Sequence, residues 1–253
     1  MSFFTFDGKI IYYEEFGSGK PLLFLHGNTA SSKMYGEISK RYVPYFRVIL
    51  IDFLGHGNSD RLSEFPADLW FFEAQQVIAF LRYKHYEKVN IIGSSGGALV
   101  ALNVALEAPG LVEKVIADSF EGEKADRRFN DNLFSDREKA MNDEGARGFY
   151  AYMHGDDWEQ IVANDTSAVI RHGNEIVSFF HRPHCGLKAE ILLTGSRKDS
   201  FMYSISDNYY EKVYGDMLEQ IPNGRMYLFE NGDHPAVITN SDSFYDLSMD
   251  FFS

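Results

Sequence analysis

A serine framed by glycines is the first feature of this sequence that indicates chemistry. Ser95 is the centre of the pattern Gly93-x-Ser95-x-Gly97, which lies between a predicted strand and a predicted helix. A sharp strand-to-helix turn needs small neighbours, because its backbone is strained and packs closely against its surroundings. Such a turn presents the serine hydroxyl as a nucleophile, and the N–H groups that open the helix point at a developing oxyanion. The alternative is a Gly/Ser-rich helix start without chemistry.

Two further loops, taken with the Ser95 turn, resemble the α/β-hydrolase superfamily and in particular its capped, carboxylesterase-like serine hydrolases. The sequence His26-Gly27-Asn28 follows a predicted strand and resembles the His-Gly oxyanion loop of that family. The segment 52–59 resembles the family's D-x-x-G-x-G-x-S turn. The resemblance covers nearly the whole chain except one helical interval. It implies an α/β-hydrolase fold and a catalytic triad in the chain order Ser, Asp, His.

The resemblance points to His234 as the base of this triad. His234 lies in the loop directly after the last predicted strand, and a neutral imidazole can accept the serine proton and return it to a leaving group. Asp233, directly before it, either raises the pKa of His234 or faces solvent. Among the eight histidines, we interpret His26 and His56 as structural. Those at 154, 172, 181 and 184 are expected to be exposed or to contact substrate.

The acid of the triad has two candidates, and Asp199 is preferred. It follows the predicted strand at 190–193 and would hold the histidine tautomer and stabilise the imidazolium. Family members usually have two residues between the preceding glycine and the acid, whereas three separate Gly195 from Asp199. Asp118, which ends the predicted strand at 114–117, is therefore the alternative acid. Its other interpretation is a hinge residue that makes local hydrogen bonds.

The resemblance also implies an oxyanion hole made of two backbone N–H groups, those of Asn28 and Gly96. Both must point at the charged tetrahedral oxygen, because donors that favour the transition state accelerate the chemical step. Haloalkane dehalogenases likewise carry Asn after His-Gly, but their nucleophile is Asp. The serine at position 95 therefore disfavours dehalogenation and epoxide opening.

The elements that must position these residues alternate between strands and helices. An Asp7-Gly8 turn joins two predicted N-terminal strands at 3–6 and 10–16. The later strand candidates are apolar throughout, which is typical of parallel strands buried on both faces; they are 22–25, 47–51, 88–92, 114–117, 190–193 and 225–229. Three helices are predicted: one at about 68–84, a second directly after Ser95, and a third near 242–251. Asp68 is the candidate N-cap of the first. This pattern predicts an α/β fold with a mostly parallel central sheet flanked by helices.

One interval of about 70 residues breaks the alternation. Between Asp118 and Leu187 there is no convincing strand, only helical fragments at 135–152, 156–162 and 166–172. A structureless loop of that length is implausible, so we predict a small helical cap at about 120–187 inserted into a single domain of residues 1–253. Its aromatic residues are candidates for lining an apolar pocket: Phe129, Phe134, Phe149, Tyr150, Tyr152, Trp158, Phe179 and Phe180.

The composition excludes several classes of partner. The 253 residues include 37 acidic and 24 basic side chains, a net charge of −13, which would repel nucleic acid and anionic membrane surfaces. No apolar run is long enough to span a bilayer, and the N-terminus lacks the features of a signal peptide. Cys185 is the single cysteine, so no internal disulfide can form and a cytoplasmic location is expected.

No cofactor or metal is predicted. The Gly55-x-Gly57 pair lacks the third glycine of a dinucleotide fingerprint, and no phosphate-binding Gly-Lys-Ser/Thr loop is present. His181, His184 and Cys185 are too few and too loosely spaced for a zinc site.

These observations predict a serine hydrolase that cleaves a small carboxylic ester or thioester through an acyl-enzyme. Hydrolysis of a carbon–carbon bond, or perhydrolase activity, by the same triad is the alternative within enzymes. A non-catalytic receptor for a small ligand is the alternative outside them, because a fold does not fix a function. Acidic residues of the predicted cap favour a neutral substrate over an anionic one. The sequence does not indicate an oligomeric state.

Overall fold

The central element of the computed structural model, which describes residues 2–253, is an eight-stranded sheet. The strands are β1 (Ser2–Phe6), β2 (Lys9–Phe16), β3 (Pro21–Leu25), β4 (Arg47–Ile51), β5 (Val89–Ser94), β6 (Val112–Asp118), β7 (Glu190–Ser196) and β8 (Gly224–Phe229). Their order in the sheet is β1-β2-β4-β3-β5-β6-β7-β8. The first two strands are antiparallel to their neighbours, and the other six are parallel to one another. The predicted fold class is confirmed.

Helices cover both faces of this sheet. The helices outside the 119–189 interval are α1 (Gly36–Lys40), α2 (Leu69–Tyr83), α3 (Gly96–Glu107), α7 (Ser200–Tyr203), α8 (Tyr209–Leu218), α9 (Ala236–Thr239) and α10 (Ser241–Phe252). Alternate residues of each inner strand point to opposite faces. Leu23 and Leu25 join the core beneath α2, α3 and α8, whereas Leu22 and Phe24 join the core beneath α1 and α10. Because both faces are apolar, the buried stretches of the inner strands, such as residues 22–25 and 48–51, are apolar at successive positions.

The structure can be compared with two local predictions, the Asp7-Gly8 turn and the helix cap at Asp68. The first strands are joined by Asp7 and Gly8, both at positive φ, as a two-residue hairpin turn requires. Asp68 precedes α2, but its side chain makes no capping hydrogen bond. Its carboxylate instead lies 2.7 Å from His181 Nε2, so Asp68 occupies the predicted N-cap position without side-chain capping.

Between β6 and β7 the chain forms three helices, α4 (Arg127–Asn142), α5 (Glu144–His154) and α6 (Trp158–Glu175). We call residues 120–187 the cap segment. The carboxylates of Asp126 and Asp143 cap the first two helices by accepting hydrogen bonds from backbone N–H groups. The two ends of the segment run side by side through an antiparallel bridge between Lys124 and Ser178. The two chain segments that connect these three helices to the sheet therefore lie next to each other.

Candidate active site

Ser95 stands in a strained turn between β5 and α3. Its backbone has a φ of +54° and a ψ of −125°, a conformation that residues with side chains rarely adopt. A Cβ atom on Gly93 would lie 2.1 Å from the Gly97 carbonyl oxygen, and one on Gly97 would lie 2.0 Å from the Leu25 carbonyl oxygen. The glycines are needed because backbone of neighbouring elements occupies the space of a side chain.

His234 and Asp199 meet through a direct hydrogen bond. The Nδ1 atom of His234 donates to Asp199 Oδ2 over 2.8 Å. The Asp199 carboxylate is fully buried, and its Oδ1 accepts from the N–H groups of Phe201 and Met202, both at 3.1 Å. The Tyr210 hydroxyl donates to Oδ2 at 2.6 Å. Because the carboxylate is fixed and Nδ1 is protonated, the Nε2 atom of His234 carries a lone pair that can accept a proton from a neighbouring hydroxyl.

Asp233 connects the acid loop to the histidine loop. Its Oδ1 accepts hydrogen bonds from the backbone N–H groups of Ser200 and His234, both at 2.8 Å, and the Ser200 hydroxyl donates to it at 2.9 Å. Burial acts to raise the pKa of Asp233, but these hydrogen bonds hold it below its usual value. Asp233 thus orders the loop around His234.

Asp118 lies on the neighbouring strand but contacts different groups. Fully buried, it accepts from the hydroxyls of Thr194 at 2.8 Å and Ser119 at 3.1 Å, and from the Val237 N–H at 3.0 Å. Burial raises its pKa to about 6 in spite of these bonds. It makes no hydrogen bond with His234. The structure therefore places Asp199, and not Asp118, against the histidine.

The Asn28 N–H is oriented by the neighbouring histidine. The Phe53 N–H donates to His26 Nε2 at 3.2 Å, so the proton of His26 is on Nδ1, which donates to the Gly27 carbonyl at 2.9 Å. That carbonyl shares a peptide plane with the Asn28 N–H, so holding one fixes the direction of the other. Burial lowers the pKa of His26 well below its usual value, which keeps it neutral. Within residues 2–253, no protein acceptor takes the N–H of Asn28 or Gly96.

The predicted site residues, apart from the two buried carboxylates, line one cavity. Its volume is about 540 Å³, and Ser95, Gly96, Asn28 and His234 all contribute to its wall. The remaining wall is mainly apolar: Ala30, Met34, Trp70, Leu99, Phe120, Phe129, Leu133, Phe149, Tyr150, Val169, Phe201 and Met202. Of the predicted cap aromatics, Phe134 and Tyr152 are instead exposed, and Trp158, Phe179 and Phe180 pack elsewhere.

Two titratable side chains of the cap segment also line the cavity. Burial raises the pKa of Glu121 to about 8, so this carboxyl is mostly protonated at pH 7. Arg137 donates from Nη1 to the Tyr150 hydroxyl at 3.0 Å and keeps its charge. Although the chain as a whole is acidic, the one fixed charge these two groups add to the cavity wall is positive.

Three cap histidines do not follow the prediction. His154, His172 and His184 are buried rather than exposed, and none of them lines the cavity. His154 Nδ1 accepts from the Gly57 N–H at 3.1 Å, and Nε2 donates to the Thr29 carbonyl at 3.0 Å. His181 is half-exposed and stacks on Phe71. His154, and His172 through the 3.1 Å contact of its Nδ1 with the Ala67 carbonyl, thus join the cap segment to loops outside it.

Two buried groups that support the site, Tyr210 and Asp165, are not predicted by any sequence pattern. Tyr210 bonds the carboxylate of Asp199, and Asp165 bonds the loop that carries Asn28. Asp165 is one of many acidic residues in the cap segment, and nothing in its neighbours distinguishes it from the exposed ones. Over residues 2–253, no group of three or more His, Cys, Asp or Glu side chains has a metal-binding arrangement. No described helix has the length and apolarity needed to cross a membrane.

Comparison with known proteins decides the family. The family model described as the alpha/beta hydrolase fold matches residues 20–153, slightly more than half of the chain. This chain is an α/β hydrolase. The resemblance seen in its loops is thereby confirmed, and the protein is an enzyme of the hydrolase class.

Curated relatives of this α/β hydrolase include esterases and a dehalogenase. It is 24% identical to the pimeloyl-[acyl-carrier protein] methyl ester esterase of Vibrio campbellii, over 92% of this chain and 95% of that protein. It is 33% identical to a haloalkane dehalogenase of Agrobacterium fabrum over a shorter match, 43% of this chain and 35% of that protein. The match to the dehalogenase has the higher identity of the two but spans only about a third of that protein.

Solved structures show the same fold at lower sequence identity. A meta-cleavage product hydrolase from Pseudomonas fluorescens IP01 superposes with a TM-score of 0.75 at 19% identity, covering 97% of this chain and 94% of that one. An enol-lactonase from Burkholderia xenovorans LB400 has a TM-score of 0.75 at 14% identity, covering 99% of each chain. At such identities the likeness shows the fold of the α/β hydrolase alone.

Proposed function

We propose that this α/β hydrolase cleaves small carboxylic esters or thioesters through an acyl-enzyme on Ser95. The observation that carries the proposal is the 2.8 Å hydrogen bond from His234 Nδ1 to the buried Asp199, with His234 and Ser95 in the wall of one cavity. The full-length similarity to a methyl ester esterase supports the same reaction class.

In the first half-reaction, Ser95 Oγ attacks the substrate carbonyl carbon while His234 Nε2 takes the hydroxyl proton. Asp199 stabilises the imidazolium that forms. The carbonyl electron pair moves onto oxygen, where the N–H groups of Asn28 and Gly96 stabilise the charge. Collapse of this intermediate breaks the bond to the alcohol or thiol, which leaves with the proton from His234.

In the second half-reaction, water replaces the alcohol. His234 accepts a proton from water, which attacks the acyl carbon and forms a second oxyanion held by the same two N–H groups. Its collapse releases the carboxylic acid and returns the proton to Ser95. The cycle uses side chains and backbone of this chain throughout.

The cavity supports a small, largely apolar acyl or alcohol group. A volume of about 540 Å³ lies within the usual range for small-molecule sites, and its lining is mostly aliphatic and aromatic. We propose a neutral ester, because a neutral group enters an apolar cavity without the desolvation cost of a charge.

Hydrolysis of a carbon–carbon bond next to a ketone is the second candidate. The observation that favours it is Arg137, a fixed positive charge in the cavity wall that can pair with a substrate carboxylate. The fold likeness to a meta-cleavage product hydrolase adds to it. A panel of neutral esters and diketone acids separates the two candidates by relative kcat/KM.

The direct test combines labelling and turnover. Wild-type protein should react with a fluorophosphonate probe at Ser95 and hydrolyse p-nitrophenyl acetate. S95A should lose labelling and lower kcat by roughly 10⁴-fold or more, because the nucleophile is gone. Folded protein that neither labels nor turns over esters or diketones would indicate a ligand receptor. Full activity in S95A would remove Ser95 from the mechanism.

A further inference from the structure

Asp165 joins the cap segment to the loop that carries Asn28. It lies on α6, is completely buried, and accepts from the Thr29 N–H at 3.0 Å. Asn28 Nδ2 donates to its two oxygens at 3.2 and 3.1 Å. His56 Nε2 lies 3.1 Å from its Oδ2. A buried carboxylate needs such partners, and all of these come from loops that follow β3 and β4.

The charge of Asp165 strengthens these contacts. Burial acts to raise its pKa, but the hydrogen bond with His56, the Arg137 guanidinium and the Thr29 N–H together hold it below the usual value. The carboxylate is therefore ionised at neutral pH. Hydrogen bonds to an ionised acceptor are stronger than those between neutral groups.

The Asn28 side chain is held at its other end as well. Its Oδ1 accepts from Trp70 Nε1 at 3.1 Å, and a Cβ on Gly96 would lie 2.2 Å from that oxygen. The next residue, Thr29, has a φ of +56°, which is unfavourable for a β-branched side chain. Neighbouring groups must therefore maintain this conformation of the loop.

A second cap residue completes the attachment. His154, at the end of α5, donates to the Thr29 carbonyl, while Asp165 accepts the Thr29 N–H. Both backbone polar groups of Thr29 are thus bonded to the cap segment. The peptide planes on either side of Thr29 are fixed from the cap, not only from the sheet.

We propose that Asp165 is a positioning residue for the oxyanion hole, holding Asn28 from the cap segment so that its N–H points into the cavity. The inference rests on the proposed function, in which Asn28 is an oxyanion donor. It follows that the oxyanion hole is complete only when the cap segment is seated on the loops after β3 and β4.

The test compares D165N with D157N. Asp157 is another cap carboxylate, paired with Arg61 at 2.7 and 2.9 Å and without contact to Asn28 or Thr29. We expect D165N to lower kcat by roughly 10- to 100-fold with little change in KM, because a displaced donor stabilises mainly the transition state. Affinity for an aryl trifluoromethyl ketone should fall by the same factor, while product-acid affinity stays constant. D157N should leave all four values near wild type.

A readout independent of turnover is hydrogen exchange at the Thr29 amide. It should accelerate in D165N and not in D157N, because only D165N weakens the acceptor of that N–H. N28A is the second variant, should D165N not fold. It keeps the backbone N–H but removes the clamped side chain, and we expect a smaller loss confined to kcat.

Three outcomes would count against the proposal or separate it from the proposed function. Folded D165N with wild-type kcat, ketone affinity and exchange overturns it. A rise in KM with unchanged kcat also overturns it, because it assigns Asp165 to substrate binding. If wild type neither turns over esters nor labels at Ser95, yet exchange accelerates in D165N, then Asp165 does hold the loop with Asn28 and Thr29, and it is the catalytic assignment that fails.

Discussion

At the scale of single residues, two buried carboxylates, one at the end of β6 and the other in the loop after β7, have different surroundings. Asp199 is bonded to His234 and to the hydroxyl of Tyr210. Asp118 is instead bonded to the Val237 N–H and to three hydroxyls, those of Ser94, Ser119 and Thr194. Their distances from the preceding strands did not distinguish them in the sequence. What distinguishes them is the direction of each side chain after its strand ends.

Because of this difference, replacing each aspartate with asparagine should affect catalysis at one position and stability at the other. D199N should lower kcat by roughly 10³- to 10⁴-fold, because the amide favours the wrong tautomer of His234. D118N should keep kcat within about tenfold of wild type but lower the free energy of unfolding by about 1–3 kcal/mol, since it disturbs a buried network. Steady-state kinetics and urea unfolding measure the two effects. A large loss of kcat in D118N alone would make Asp118 the acid.

At the scale of elements, the turn between β5 and α3 is held by backbone contacts. Gly97 has no space for a methyl group, because the carbonyl oxygens of Leu25 and His26 occupy it. Those carbonyls belong to the last residue of β3 and to the first residue of the loop that carries Asn28. The nucleophile turn and the oxyanion loop are therefore packed against each other without an intervening side chain.

G97A should consequently be strongly destabilising, by about 3 kcal/mol or more, because rigid backbone must move to accommodate the methyl group. G148A is the matched control. Gly148 lies within α5, and a Cβ there would meet nothing within 4 Å, so alanine should stabilise the protein by about 0.5–1 kcal/mol. Urea unfolding of both variants tests the pair. Equal stabilities would show that the turn tolerates a side chain.

The sequence was informative for elements and much less so for contacts between them. Buried strands were found because residues such as 22–25 are apolar on both faces, and the Ser95 turn because its glycines are close in sequence. Helix α4 begins at Arg127, eight residues before the predicted fragment. The prediction missed these residues because the first turns of the helix are polar. The contact of Asp165 with Asn28 joins residues 137 positions apart, and no local pattern encodes it.

At the scale of the whole molecule, the net charge of −13 and the cavity have opposite character. Acidic residues of the cap segment such as Asp131, Asp136 and Asp156 are exposed, whereas Arg137 lines the cavity and Glu121 there is mostly protonated at pH 7. The external field acts on approach and is screened by salt. The groups inside act on the bound substrate.

Global stability should depend on pH through His154. Burial lowers its pKa to about 4, below the value near 6.5 of the unfolded chain, so between these values the unfolded chain binds the additional proton. The free energy of unfolding is thus intact above pH 6.5 and falls by up to about 3 kcal/mol as the pH drops to 4.

H154Q removes this titration. Although it should be less stable at pH 7, its unfolding free energy should fall less between pH 6.5 and 4, so the gap to wild type narrows as the pH drops. H85N, at an exposed histidine, should keep the wild-type slope. Urea unfolding at a series of pH values gives the slopes. Parallel curves for H154Q and wild type would show that His154 is not the group responsible.

The hydrogen bonds that Asp165 and His154 make with Thr29 have a consequence for engineering. Exchanging the cap for that of another hydrolase is an attractive way to change substrate range. Here a chimera with a foreign cap would leave the Thr29 N–H and carbonyl without their partners and release the strained loop. The cap and the loop from His26 to Thr29 should therefore be transplanted as one unit.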